Sequence, residues 1–167
     1  MKKLFSAVLV AGITLSGVGA TSADAATGNS IQNVKQLQQG DNSLEGAKIG
    51  ASIQTVLKTN KKPLYSYRPD HKEHYYEFKE PKGTLVVTAD GKKDQGKITR
   101  VSMSYNEPSG PSFNAVKNEV NTNATVRKHF NKVTGNIGYI QDNNLSYQFT
   151  SSSPKDKNIK LYRIDLQ

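Results

Sequence analysis

The chain has 167 residues, with 23 Lys and Arg against 14 Asp and Glu, a formal charge of +9 and no cysteine. The missing cysteine excludes disulfides, thiolate catalysis, cysteine-ligated metals and the lipid attachment of a lipoprotein. The charge excess suits polyanionic partners such as nucleic acid, teichoic acid, heparin-like glycans or an anionic membrane surface; the alternative is a basic surface that only keeps the protein soluble.

The chain opens MKKLFSAVLVAGITLSGVGATSADA. Lys2 and Lys3, the apolar run 4–18 and the small-x-small Ala23-Asp24-Ala25 read as a secretory signal peptide over residues 1–25, cut before Ala26. Its apolar run is short for a membrane span, so no membrane insertion is expected after cleavage. Loss of Lys2, Lys3 and Asp24 leaves a charge of +8. The expectation is a secreted, extracellular protein, and the many Asn, Gln and Lys residues suit a Gram-positive bacterium.

Residues 26–29 form a short tail. SIQNVK at 30–35 reads as one helix, and Ile53, Val56 and Leu57 give a second the i, i+3, i+4 spacing of one face. Strand-like runs follow: HYYEFK at 74–79, GTLVVTA at 83–89 and KITRVSMSY at 97–105. Thr99, Val101, Met103 and Tyr105 share one face of the last run. Glu80-Pro81-Lys82-Gly83 and Asp90-Gly91 supply turns between them. EPSGP at 107–111 is a connector.

Beyond the connector the pattern recurs. SFNAVK at 112–117 matches SIQNVK by type, and Val126, His129 and Phe130 repeat the spacing of Ile53, Val56 and Leu57. IGYIQ at 137–141, LSYQFTS at 145–151 and NIKLYRIDL at 158–166 fall opposite the three earlier strands, with Tyr162, Ile164 and Leu166 on one face. His129 falls on the apolar face of the second repeat's second helix, as a half-buried residue. The predicted fold class is α+β: two tandem helix-helix-β-meander repeats, 30–106 and 112–167. They form one compact domain, an antiparallel sheet with helices on one face and the other left to water.

Ile49-Gly50-x-Ser52 through Val56, then Lys62-Pro63, Tyr75-Tyr76-x-Phe78, Gly83-x-Leu85-x-Val87 and Gly96-Lys97-Ile98-x-x-Val101 resemble the layout of the β-lactamase-inhibitor-protein-like superfamily. That superfamily includes the SmpA/OmlA lipoproteins of the outer-membrane assembly machinery. The resemblance covers about residues 30–167. It implies a tandem helix-loop-helix plus antiparallel-sheet fold and, for function, an inhibitor of an extracellular enzyme or host factor. The inhibitors carry disulfides and the lipoproteins a lipidated cysteine; this chain has neither. No inhibitory contact residue carries over, because no motif for one is matched.

The halves differ most between the second helix and the first strand. Nineteen positions separate Leu57 from Tyr76, but 9 separate Phe130 from Tyr139. The extra residues lie in KKPLYSYRPDHKEHYY, 61–76, which reads as a loop. Tyr65, Tyr67, Arg68, His71 and His74 are its candidate protein-binding residues, since Tyr and Arg most often anchor interfaces. Pro63 and Pro69 stiffen it. The alternative is an excursion whose tyrosines fold back onto the sheet edge. Tyr76 and Phe78 alternate into the core. Lys58, Lys61, Lys62, Arg68 and Lys72 form a candidate polyanion-binding cluster, to which Arg100, Lys160 and Arg163 add from an open sheet face. No module signature for specific nucleic-acid binding is present.

His71 and His74 make an HxxH spacing, but in a loop running into a strand it holds no metal, and two exposed, basic-flanked histidines are expected. There is no G-x-S-x-G, HExxH or Walker loop. No catalytic residue and no cofactor are expected. The function expected is non-enzymatic: binding of an unidentified extracellular protein through an open sheet face and the 61–76 loop. The alternative is a basic cell-envelope or polyanion-binding protein held by charge.

Overall fold

Ser30 and Ser112 start two helices in the same way. Each serine lies in extended backbone, and its Oγ accepts at 3.3 Å from the N–H three residues on, Asn33 and Ala115. This N-cap satisfies a donor that the first helical turn leaves orphaned. A computed structural model describes residues 26–60 and 62–167. The signal-peptide reading and Lys61 lie outside the described residues.

The elements run α1 (Ile31–Gln38), β1 (Ser43–Leu44), β2 (Ala47–Lys48), α2 (Gln54–Thr59), β3 (Leu64–Arg68), β4 (Glu73–Glu80), β5 (Gly83–Ala89) and β6 (Ile98–Tyr105). Then come α3 (Phe113–Lys117), β7 (Thr125–Asn131), β8 (Gly135–Asp142), β9 (Leu145–Thr150) and β10 (Lys160–Leu166). Two four-stranded antiparallel meanders join at their last strands. The resulting sheet has the order β3-β4-β5-β6-β10-β9-β8-β7. At the seam Met103 faces Ile164 and Val101 faces Leu166, all four fully buried.

One face of this sheet is dry. Tyr76, Phe78, Leu85, Val87, Val101 and Met103 from the first meander join Ile140, Tyr147, Phe149, Ile164 and Leu166 from the second. Val34 and Leu37 of α1, Leu44, Val56 of α2, and Phe113 and Val116 of α3 cover them. Helices of 8, 6 and 5 residues are too short to persist alone, so their buried faces hold them in place. Gly138 gives Phe113 its seat on β8, and the Phe113 and Phe149 rings meet edge to face at 4.9 Å.

The expected fold class is overturned: the molecule is mostly β, with three short helices, and its halves are not helix-helix-β-meander repeats. Residues 126–130, read as a helix, lie in β7. Thr125, Arg127 and His129 alternate with Val126, Lys128 and Phe130, and β8 takes up the backbone hydrogen bonds. Three apolar-face positions in five residues fit a strand as well as a helix, and pairing with β8 decides between them. His129 is accordingly exposed.

Residues 62–76 are likewise not a loop. Within them β3 pairs with β4 through a tight turn, Tyr65 opposite Tyr76 and Tyr67 opposite His74. The first half's additional length, β1, β2 and α2, lies between α1 and the meander. A register shift between Leu161 and Arg163 turns Tyr162 away from Ile164 and Leu166, and Leu161 takes the buried place instead. Tyr76 and Phe78 are buried, at 1% and 3% exposure.

Candidate functional site

Alternation along β3 and β4 divides the sequence-selected residues between the two sides of the sheet. Tyr65, Tyr67 and His74 lie together on the helix-covered side, at its outer edge. Tyr65 Oη and His74 Nδ1 are 2.8 Å apart, and His74 Nε2 is 3.1 Å from the Gly91 carbonyl. A carbonyl only accepts, so Nε2 carries the proton and, in the neutral ring, Nδ1 accepts from Tyr65. The Tyr67 and His74 rings are 4.7 Å apart, and Lys93 Nζ sits 4.4 Å over the Tyr65 ring. His74 is thus buried, not exposed, and both its ring nitrogens are engaged. Tyr65 closes the sheet edge, and Tyr67 keeps 47% exposure.

Arg68 projects from the other side, and His71 sits in the turn. Both reach Asp70, Arg68 Nε at 3.1 Å from Oδ1 and His71 Nε2 at 3.2 Å from Oδ2. The Asp70 hydrogen bond holds the Arg68 guanidinium pKa above its ordinary value. His71 and His74 share no ligand position. Lys58 ends α2 and Lys62 precedes β3, whereas Arg68 and Lys72 flank the turn at the strand's far end. Those ends lie about 14 Å apart along the strand, so Lys58 and Lys62 do not converge with Arg68 and Lys72.

The sheet's open side carries a better-formed site. A groove of ≈ 350 Å³ is lined from six consecutive strands: Tyr75, Val86, Thr88, Arg100, Ser102, Arg163, Asp165, Ser146, Gln148, Tyr139 and Gln141, with Gln167. Five strand spacings separate β4 from β8, about 24 Å on a flat sheet. For Tyr75 and Tyr139 to line one groove, the sheet must curl toward its open side. The two tyrosines are pinned alike, Tyr75 Oη donating to Glu73 and Tyr139 Oη to Gln141. The Glu73 bond raises the Tyr75 phenol pKa.

Between them the polar groups satisfy one another. Arg163 grips Asp165, whose Oδ2 also accepts from Ser146 Oγ at 3.1 Å and Gln148 Nε2 at 3.2 Å. Gln148 Oε1 accepts from Tyr162 Oη at 3.2 Å. Arg100 differs. Its Nε is buried without a hydrogen-bond partner, and it joins none of the ion pairs of the described residues. An unpaired buried donor costs roughly 1–3 kcal/mol, so the Arg100 guanidinium would gain by turning toward an acceptor brought to the groove.

Of the groove residues, only Arg100 and Arg163 were legible as open-face cations. Tyr75, Tyr139, Gln148 and Asp165 are found by counting alternate positions outward from the buried residues of each strand. A family model described as SA0570-like matches residues 1–167. No curated protein and no solved structure matches the chain.

Proposed function

The chain belongs to the SA0570-like family, and from that premise we propose that it is a secreted, non-enzymatic binding protein. Its open sheet face docks an extracellular protein that places a carboxylate beside Arg100. The observation that carries this reading is the buried, unpartnered Arg100 Nε in a curled face framed by two pinned tyrosines. Tyr and Arg supply most interface anchoring energy, and the hydrogen bonds on Tyr75 and Tyr139 reduce their ordering cost on binding. Charge complementarity favours an acidic contact, since Asp165 is neutralised by Arg163 while Arg100 is not. Covering a partner's own site through this face would make the protein an inhibitor.

The test is capture of partners by the chain without residues 1–25, from host serum and from culture envelope, at roughly 0.1 M and 0.5 M salt. A specific partner persists at the higher salt. Arg100→Gln and the pair Tyr75→Ala with Tyr139→Ala then weaken it at least about tenfold. Tyr67→Ala, on the opposite side, leaves it unchanged. Equal binding by all of these variants removes the groove from the interaction.

A further inference from the structure

We propose that the tip of the β7–β8 hairpin docks peripherally on an anionic lipid surface. Four of the six exposed large hydrophobic residues among the described residues lie on this one hairpin: Val126, Phe130, Val133 and Ile137, at 37, 50, 85 and 54% exposure. Register places them on different sides. Phe130 and Val126 share the side of buried Ile140, Ile137 faces the open side opposite His129, and Val133 sits in the turn. A rigid protein laid against one face of the hairpin covers one of these sides. A fluid apolar phase covers both, together with the tip.

Along the hairpin itself the charge has one sign. No Asp or Glu occurs between Glu119 and Asp142, and that interval holds Arg127, Lys128 and Lys132 beside His129. Cations just behind an apolar tip are the arrangement an anionic interface attracts. Phe130 and Ile137 lie within a few residues of the turn, so immersing them requires a depth of about 5–10 Å, that of an interfacial segment. The long basic side chains then reach back to the headgroups. A soluble polyanion meets the cations but leaves the apolar tip in water.

The tip is also built in advance of contact. Asn131 Oδ1 accepts from the N–H groups of Val133 at 2.8 Å and Thr134 at 3.0 Å, which fixes the turn. Asn136, 2% exposed, accepts from Asn131 N at 3.1 Å and donates to the Pro154 and Asp156 carbonyls, anchoring the hairpin root to the loop before β10. Little conformational freedom remains to be lost on docking.

The test uses the chain without residues 1–25, which keeps every buried residue of the described core. It is co-sedimented with phosphatidylcholine vesicles, with and without phosphatidylglycerol. Binding is expected only where phosphatidylglycerol is present. Phe130→Ser with Val133→Ser lowers it at least about tenfold, as does Arg127→Gln with Lys132→Gln. All four positions are exposed, so thermal unfolding stays as in the parent. The chain has no tryptophan, so Phe130→Trp places a single indole at the tip, and its emission shifts to the blue on anionic vesicles. Wild-type retention of the Phe130/Val133 variant overturns the proposal in favour of charge alone. Equal binding to pure phosphatidylcholine, binding to neither vesicle, or an unshifted indole on sedimented protein also overturns it. Partner capture through Arg100 is unaffected by these tip variants, so the two readings fail independently.

Discussion

Arg163 lays its guanidinium across both oxygens of Asp165, with Nε at 3.0 and 3.1 Å from Oδ1 and Oδ2 and Nη2 at 2.6 Å from Oδ1. The pair sits on the central strand of the open face, where water is partly excluded. It assigns the groove's two arginines different work: Arg163 neutralises the buried carboxylate, and Arg100 is left without one.

This pair sets an acid limit on stability. Burial by itself raises the Asp165 carboxyl pKa, but the hydrogen bond and charge of Arg163, with hydrogen bonding from Ser102 and Ser146, outweigh it and hold the group below 3.8. The native state therefore binds fewer protons than the unfolded chain, so the stabilisation is present above 3.8 and is lost as pH falls through the native value. The urea midpoint should therefore fall as pH drops below about 4. Asp165→Asn should flatten that fall and cost about 1–3 kcal/mol at neutral pH, because Arg163 is then left unpaired.

The alkaline limit is set by phenols. Burial pushes Tyr76 and Tyr147 up to about 12. Burial, with the Glu45 carboxylate 2.8 Å from its hydroxyl, pushes Tyr105 higher still. Each favours the protonated form in the native state, so its contribution is whole below the ordinary value of 10 and is lost as pH rises through the native value. Ultraviolet titration should show Tyr76, Tyr105 and Tyr147 ionising late, with stability declining between about pH 10 and 12. Tyr147→Phe should remove one late-ionising phenol.

The Tyr65–His74 contact predicts a local effect. Tyr65→Phe keeps the ring but leaves His74 Nδ1 without its donor, at a cost of about 1 kcal/mol. β3 is an edge strand bonded only to β4, so the loss should appear there first. Amide hydrogens of β3 should exchange faster, while those of β6 at the seam keep their protection. Uniform acceleration across the sheet would place the contact in the global unfolding unit instead.

These sites show what the sequence conveyed and where it failed. Strand runs at 74–79, 83–89 and 97–105 coincide with β4, β5 and β6, because alternation and turn residues are local signals. The helices at 30–35 and 112–117 were legible in the same way. Segment 126–130 was misread because its spacing fits two periods, and only pairing with β8 separates them. The 61–76 loop was misread because its extra length was counted by setting Leu57 against Phe130, which lies in a strand and not in a second helix; Pro63 and Pro69 only bracket β3. Tyr65, Tyr67 and Arg68 were selected by type, but which side each faces depends on strand register. The groove is non-local throughout: it exists because β6 pairs with β10, which juxtaposes strands from opposite halves.

Gly138 tests how tightly the second meander is roofed. A Cβ there would lie 2.6 Å from Phe113 Cδ2 and 2.7 Å from Ile159 Cδ1. Neither neighbour has room to retreat. The Phe113 ring is pressed against Phe149 on one side and carries Lys128 Nζ at 4.1 Å, and Ile159 is 2% exposed. Gly138→Ala should therefore overpack the site and lift α3 from the sheet, costing about 1–3 kcal/mol against the small gain alanine brings in an unhindered strand. Urea unfolding reads the loss. Phe113→Leu alone should also destabilise, by removing ring contacts. If the steric reading is right, the double variant loses less than the sum of the two, because leucine vacates the space the new methyl needs. Strict additivity would place the cost of Gly138→Ala in the backbone of β8 rather than under α3.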